Sequence, residues 1–81
     1  MMVYLLNKND ETRFTHECSV YRKKEDAIEM MKKIPERYLE EDASLRITYQ
    51  SDSMIHVGWY DEDEDTVDNK LILWVTEKPL L

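Results

Sequence analysis

The stretch Leu71-Ile72-Leu73-Trp74-Val75 decides the fold, because all of its side chains are apolar. A short run of branched and aromatic residues is typical of a β-strand. Neighbouring side chains of a strand point to opposite faces, so this strand is apolar on both faces and is expected to be covered on both. Pro79 is expected to end it, because proline cannot donate to a sheet ladder.

Two alternating segments precede this strand and predict a β-hairpin. Residues 45–50 alternate apolar with polar side chains, and residues 54–60 do the same after a tight connection at 51–53. Such period-2 alternation is typical of half-buried strands. The N-terminal part predicts another candidate hairpin: a short strand at 3–6, a turn by composition at 7–11 and a weaker alternating strand at 14–20.

One helix is predicted between the two hairpins, over residues 24–34. Its apolar side chains share one stripe of the helical wheel, formed by Ala27, Ile28, Met31 and Ile34. Pro35 is expected to end or kink the helix. It is also a suitable first residue for a second short turn over residues 35–41, with Tyr38 and Leu39 facing inward.

The predicted fold is therefore one small α+β domain over residues 1–81. Its element order is β-β-α-β-β-β, with an antiparallel sheet of four to five strands and one main helix on one face. A single helix covers only one face of the sheet, so the apolar side chains on the second face of strand 71–75 need another cover. Either the tail Leu80-Leu81 and segment 35–41 suffice, or a second copy of the chain or another partner packs there.

Composition restricts the classes of partner. The chain has 81 residues, a net charge of −7 and 42% apolar residues, which is too apolar for a disordered acidic tail. Direct binding to nucleic acid or to an acidic membrane is disfavoured by repulsion, whereas a basic protein surface would be attracted. Cys18 is the only cysteine, and residues 1–6 are too short for a signal peptide, so the expected location is the cytoplasm of a cell or of an infected cell.

The acidic run does not match a calcium-binding loop. Asp61, Asp63 and Asp65 occupy the first ligand positions of an EF-hand loop. The glycine that the loop then requires is replaced by Thr66, and the bidentate glutamate is replaced by Ile72. Consecutive acids also share one solvated environment, which does not suit general acid–base catalysis.

Other catalytic and metal-binding patterns are missing as well. A structural zinc site normally takes four cysteine or histidine ligands, and the chain offers only His16, Cys18 and His56. The single glycine, Gly58, lies in a predicted strand and cannot build a phosphate-binding loop. We therefore predict a non-enzymatic protein with no catalytic residues, no metal and no cofactor.

The acidic run itself is the candidate binding site. Extended residues rise about 3.3 Å each, close to the roughly 3.4 Å between phosphates along one DNA strand. In that geometry Asp61, Asp63 and Asp65 would face one way and form an anionic stripe, with nearby aromatic side chains as anchors. The full set of predicted binding residues is Asp61, Glu62, Asp63, Glu64, Asp65, Asp68, Trp59, Tyr60, Glu40, Glu41 and Asp42.

Size, acidity and α+β pattern resemble those of the small inhibitors that bacteriophages make against nucleic-acid enzymes of their hosts. The resemblance is one of composition, without a shared motif, and it assigns no residue. It implies an acidic protein-binding module that mimics DNA and occupies a basic nucleic-acid-binding surface of a partner protein. The alternative is a structural homodimer or assembly subunit, in which the charged residues only keep the protein soluble.

Overall fold

The structure is a computed structural model that describes residues 1–80. Its elements are β1 (Met2–Asp10), β2 (Thr15–Tyr21), α1 (Lys24–Glu41), β3 (Arg46–Gln50), β4 (Met54–Asp61) and β5 (Thr66–Pro79). The strands form one sheet in the order β2-β1-β5-β4-β3, and each neighbouring pair is antiparallel. This is the predicted α+β fold with its β-β-α-β-β-β order. The connection through α1 joins the two edge strands, so the helix crosses one face of the sheet.

The hydrophobic core lies between α1 and that face. The sheet contributes the buried side chains of Leu6, Ile55, Val57, Leu71 and Leu73, and the helix contributes Ala27, Met31, Pro35 and Tyr38. The helix residues recur every three or four positions, which places them on one side of α1. Burying this stripe against the alternate residues of the central strands holds the two layers together.

No helix of residues 1–80 packs on the opposite face of the sheet, and we call it the open face. The pairing register places these strand residues on it: Val3, Leu5, Asn7, Asn9, His16, Cys18, Val20, Arg46, Tyr49, Met54, His56, Ile72, Trp74, Thr76 and Lys78. Segment 35–41 lies on the helix side, so it does not cover this face. Leu80 lines a pocket together with Val3, Leu5 and Val20 and is 56% exposed, so it covers only one end of the face. Leu81, the other residue of the tail considered above, lies outside the described residues. Cys18 is an exposed free thiol on this face.

The N-terminal strand is longer than its composition suggests. Asn7 to Asp10, predicted as part of a turn, continue β1, and the turn is moved to residues 11–14. Because β1 pairs with β2 on one side and β5 on the other, ladder hydrogen bonds on both edges override the turn preference of these polar residues. Phe14, assigned above to the second strand, lies in that turn with φ 54° and is 94% exposed.

Helix α1 does not end at Pro35, which corrects the predicted boundary. The helix continues to Glu41, and residues 35–41 form its last turns instead of a separate element. The Pro35 ring is buried, in the same row as Met31 and Tyr38. Burial of this row against the sheet offsets the backbone hydrogen bond that proline cannot donate.

Strand β5 is also longer than predicted. It spans Thr66–Pro79, so Pro79 ends the strand as expected, and Pro79 pairs with Met2. Proline is tolerated there because it is the last strand residue, where a missing N–H costs little. The additional residues at the start of β5, from Thr66 onward, pair with β4.

Two of the β-hairpins, β1–β2 and β4–β5, close with the same turn. The sequence Asp-Glu-x-x-x-Thr occurs at residues 10–15 and again at 61–66, and in each case the Asp pairs with the Thr. The Asp side chain accepts backbone N–H groups two and three residues later, and the fifth residue has a positive φ. This is Asx-turn chemistry.

Candidate functional site: an acidic hairpin arm

The β4–β5 hairpin projects beyond the rest of the sheet. β1 ends at Asp10, which pairs with Leu71, whereas β5 begins five residues earlier, at Thr66. The hairpin therefore extends roughly 17 Å past β1 at about 3.3 Å per residue. We call residues 58–69 the acidic arm. The molecule as a whole is elongated, with principal extents of 49 × 21 × 20 Å.

A glycine lies where the acidic arm begins, and it permits a close approach of the two strands there. The pairing register shifts between Val57 and Gly58, which leaves Lys70 without a paired residue in β4. A Cβ at Gly58 would lie 2.3 Å from the carbonyl oxygen of Asp68 and 2.7 Å from the Cα of Asn69. Only glycine permits the two backbones to approach this closely. The single glycine of the chain therefore marks the base of the arm.

The tip of the arm is a folded turn rather than an extended stripe. Residues 62–65 form the turn, so Asp61, Asp63 and Asp65 do not face one way along a strand, and the linear match to phosphate spacing is wrong. Oδ1 of Asp61 accepts the backbone N–H of Asp63 at 3.0 Å and that of Glu64 at 3.3 Å. Local hydrogen bonds therefore give the tip a defined shape.

An aromatic side chain also holds the turn. The Tyr60 hydroxyl donates a hydrogen bond to Oδ1 of Asp65, whose φ is 52°. This hydrogen bond, with a smaller contribution from burial, raises the pKa of Tyr60. The contact stabilises Asp65 in a left-handed conformation that aspartate adopts more readily than most residues.

The carboxylates of the tip are not neutralised by the chain's own bases. Within residues 1–80, the side chains of Asp61 to Asp65 form no ion pair, and all are exposed. Among the described residues, one ion pair involves the arm, and it joins Asp68 to Lys70 at 3.0 Å. The five adjacent carboxylates therefore produce a concentrated negative potential at the end of a long molecule.

A tryptophan connects the base of the arm to the end of α1. Trp59 Nε1 donates a 2.8 Å hydrogen bond to Oγ of Ser44, and Ser44 in turn donates its backbone N–H and its hydroxyl to Asp42. Lys70 Nζ lies 4.9 Å from the centre of the Trp59 ring, within cation–π range. Hydrogen bonds from Ser44 lower the pKa of Asp42. Sequence analysis did not identify Ser44 or Lys70, because their role depends on contacts between distant segments.

The predicted binding residues outside the arm, Glu40, Glu41 and Asp42, lie at the end of α1 and differ in their contacts. Asp42 is linked to the arm through the Trp59 contact just described. Glu40 is exposed at the end of the helix. Glu41 is 3.7 Å from Arg13 and 3.7 Å from Arg37, so its charge is partly balanced within the chain. Of the predicted group, Glu41 is therefore the weakest candidate for contact with a partner.

The three residues considered above as zinc ligands, His16, Cys18 and His56, lie on the open face. The His16 ring is 5.9 Å from that of Trp74, and the His56 ring is 5.2 Å from that of Tyr49. In the part of the chain that the structure describes, His, Cys, Asp and Glu side chains form no group of three suited to holding a metal ion. No helix among residues 1–80 is both long and apolar enough to cross a membrane.

The chain was compared with protein-family models, with curated proteins and with solved structures, and none of the three comparisons gives a match.

Proposed function

We propose that this chain is a non-enzymatic protein-binding module whose acidic arm docks on a basic protein surface. The observation that supports this proposal is the position and charge of the arm. It extends beyond the rest of the sheet, and the five carboxylates at its tip have no basic partner within residues 1–80. Folding therefore leaves these charges free to interact with another molecule. A basic groove that otherwise binds nucleic acid is the surface of complementary charge and suits a narrow anionic hairpin.

The base of the arm supports the same proposal. Trp59 and Tyr60 are each 39% exposed and are held by hydrogen bonds to Ser44 and Asp65. Aromatic side chains that are already ordered lose little entropy on binding and often supply much of the binding energy. The carboxylates would steer the encounter, and the aromatic pair would contribute contact area once the arm is docked.

The folded tip decides which acidic residues can be substituted in a binding test without disturbing the turn. Asp61 and Asp65 maintain the turn, whereas no side-chain hydrogen bond involves the carboxylates of Glu62, Asp63 or Glu64 within the described residues. The variant Glu62→Gln, Asp63→Asn, Glu64→Gln removes three charges while retaining the turn. A matched control, Glu25→Gln, Asp26→Asn, Glu29→Gln, removes three charges from exposed positions of α1.

The experiment is a pull-down from host lysate at low and high salt, followed by titration of the captured basic protein. We expect capture by the wild-type chain to fall steeply with salt and to be displaced by duplex DNA. The arm variant should bind at least about tenfold more weakly with a shallower salt dependence, and the helix control should bind like wild type. Equal affinity for the arm variant and the wild type would exclude the acidic arm as the docking element.

A further inference from the structure

The open face differs electrostatically from the rest of the molecule. The chain contains 18 acidic residues and has a net charge of −7, but none of the strand residues on the open face is Asp or Glu. The formal charges on those positions belong to Arg46, on an edge strand, and Lys78, at the end of β5. Two copies of an acidic chain can therefore approach through this face without opposing carboxylates.

The same face is apolar at its centre. Ile72 and Trp74 of β5 lie there between Leu5 of β1 and Met54 of β4, and all four remain partly exposed. Val20 on the neighbouring edge strand is 65% exposed. A patch of this kind, open on the surface of a small domain, usually marks an interface.

The available area is sufficient for a dimer. Five strands about 4.8 Å apart, with β1 nine residues long at about 3.3 Å per residue, give a face of up to roughly 700 Å². Stable interfaces commonly bury about 800 Å² per partner, so stacking of two such faces falls near the usual size. From this area and from the charge distribution we infer that two copies of the chain pack open face to open face as a homodimer.

Charge also selects the orientation of the two copies. Lys78 and Arg22 lie at the end of the molecule opposite the acidic arm. If the twofold axis ran along the strands, it would place both arms together and bring like charges close. An axis perpendicular to the strands within the interface instead places each arm beside Lys78 of the other copy and stacks β2 over β2. The dimer is expected to form independently of the basic protein partner proposed above.

The test is the mass of the full chain by sedimentation equilibrium, from low micromolar to near-millimolar concentration. We expect the mass to rise from 9.8 kDa towards twice that value, and the association to persist in high salt. Val20→Glu places a carboxylate on the open face at an exposed position, where folding is not at risk. It should weaken association at least about tenfold, whereas Met30→Glu, at an exposed helix position, should leave association unchanged.

Cys18 reports the orientation. It is the only cysteine, is exposed, and lies on the open face in β2. Stacking of β2 over β2 with sheets about 10 Å apart brings the two Cys18 thiols within reach of a short bismaleimide, which should link copies at dimeric concentrations. A mass of 9.8 kDa at every concentration, or a dimer that Val20→Glu leaves intact, overturns the inference. A dimer without the cross-link overturns the orientation.

Discussion

The hydroxyl of Tyr38 in α1 donates a 2.7 Å hydrogen bond to Oδ2 of Asp10 at the end of β1. Asp10 is 1% exposed, and its other oxygen accepts the backbone N–H of Thr12 at 3.0 Å, the Thr12 hydroxyl at 2.6 Å and the backbone N–H of Arg13 at 3.2 Å. One buried carboxylate thus joins the helix, strand β1 and the first hairpin turn. It is stable in this position because both oxygens have hydrogen-bond partners.

Removing the Tyr38 hydroxyl should lower the free energy of unfolding. Tyr38→Phe keeps the ring but leaves Oδ2 of Asp10 without the hydroxyl donor, and we expect a loss of about 1–3 kcal/mol in the free energy of unfolding. Urea denaturation measures it. Tyr49→Phe, on a side chain that is 50% exposed, is the matched control and should change stability by less than about 0.5 kcal/mol. Equal stability of the two variants would contradict the structural role of the contact.

Stability should also depend on the ionisation of Asp10. Burial alone would raise the pKa of Asp10, but hydrogen bonds from Thr12, Tyr38 and Arg13 together outweigh it and lower the pKa. The ionised form therefore stabilises the fold above the unfolded pKa of about 4, and this stabilisation is lost as pH falls through the lower folded-state pKa.

Asp10→Asn is the variant that tests this pH dependence. It should destabilise the protein at neutral pH and flatten the fall in stability between about pH 5 and pH 2, measured by urea unfolding at a series of pH values. Glu25→Gln, which is exposed on α1, should leave the slope nearly unchanged. If Asp10→Asn retained the full acid dependence, the folded-state pKa of Asp10 would not be lowered.

A methyl group at the base of the arm should be poorly tolerated. In Gly58→Ala the added Cβ meets backbone atoms of Asp68 and Asn69, which cannot move aside as a flexible side chain can. We expect a loss of at least about 2 kcal/mol and faster amide hydrogen exchange across residues 59–68. Ser53→Ala, in the exposed turn before β4, is the control and should keep the wild-type urea midpoint. An unchanged midpoint in Gly58→Ala would contradict the close approach.

The first hairpin turn offers a stabilising substitution. Phe14 has φ 54° and its side chain is 94% exposed, so it bears the strain of a left-handed conformation without burying its ring. Phe14→Gly should raise the free energy of unfolding by about 0.5–1 kcal/mol after the added entropy of the unfolded chain is counted. Glu11→Gly, in the same turn at a position with ordinary φ, should instead lower it. A loss of stability in Phe14→Gly would indicate that the ring makes a contact the fold requires.

Local pattern predicted much of the architecture. Alternation at residues 45–50 and 54–60 and the apolar run at 71–75 place β3, β4 and the centre of β5, and the stripe through Ala27 and Met31 identifies the buried side of α1. These predictions are correct because an element half buried against a core must repeat its apolar residues with its own period. The Asp-Glu-x-x-x-Thr pattern of both turns is also present in the sequence.

The composition and periodicity of the sequence by themselves determined the class of fold, the charge and the segment that carries the acidic residues. The tertiary structure decided that Asn7 to Asp10 extend the interior strand β1, that α1 continues through Pro35, and that Trp59 donates a hydrogen bond to Ser44. It also decided that one sheet face stays open. Each of these outcomes depends on pairing and burial between distant segments, whose free energy exceeds the local preferences that a sequence pattern displays.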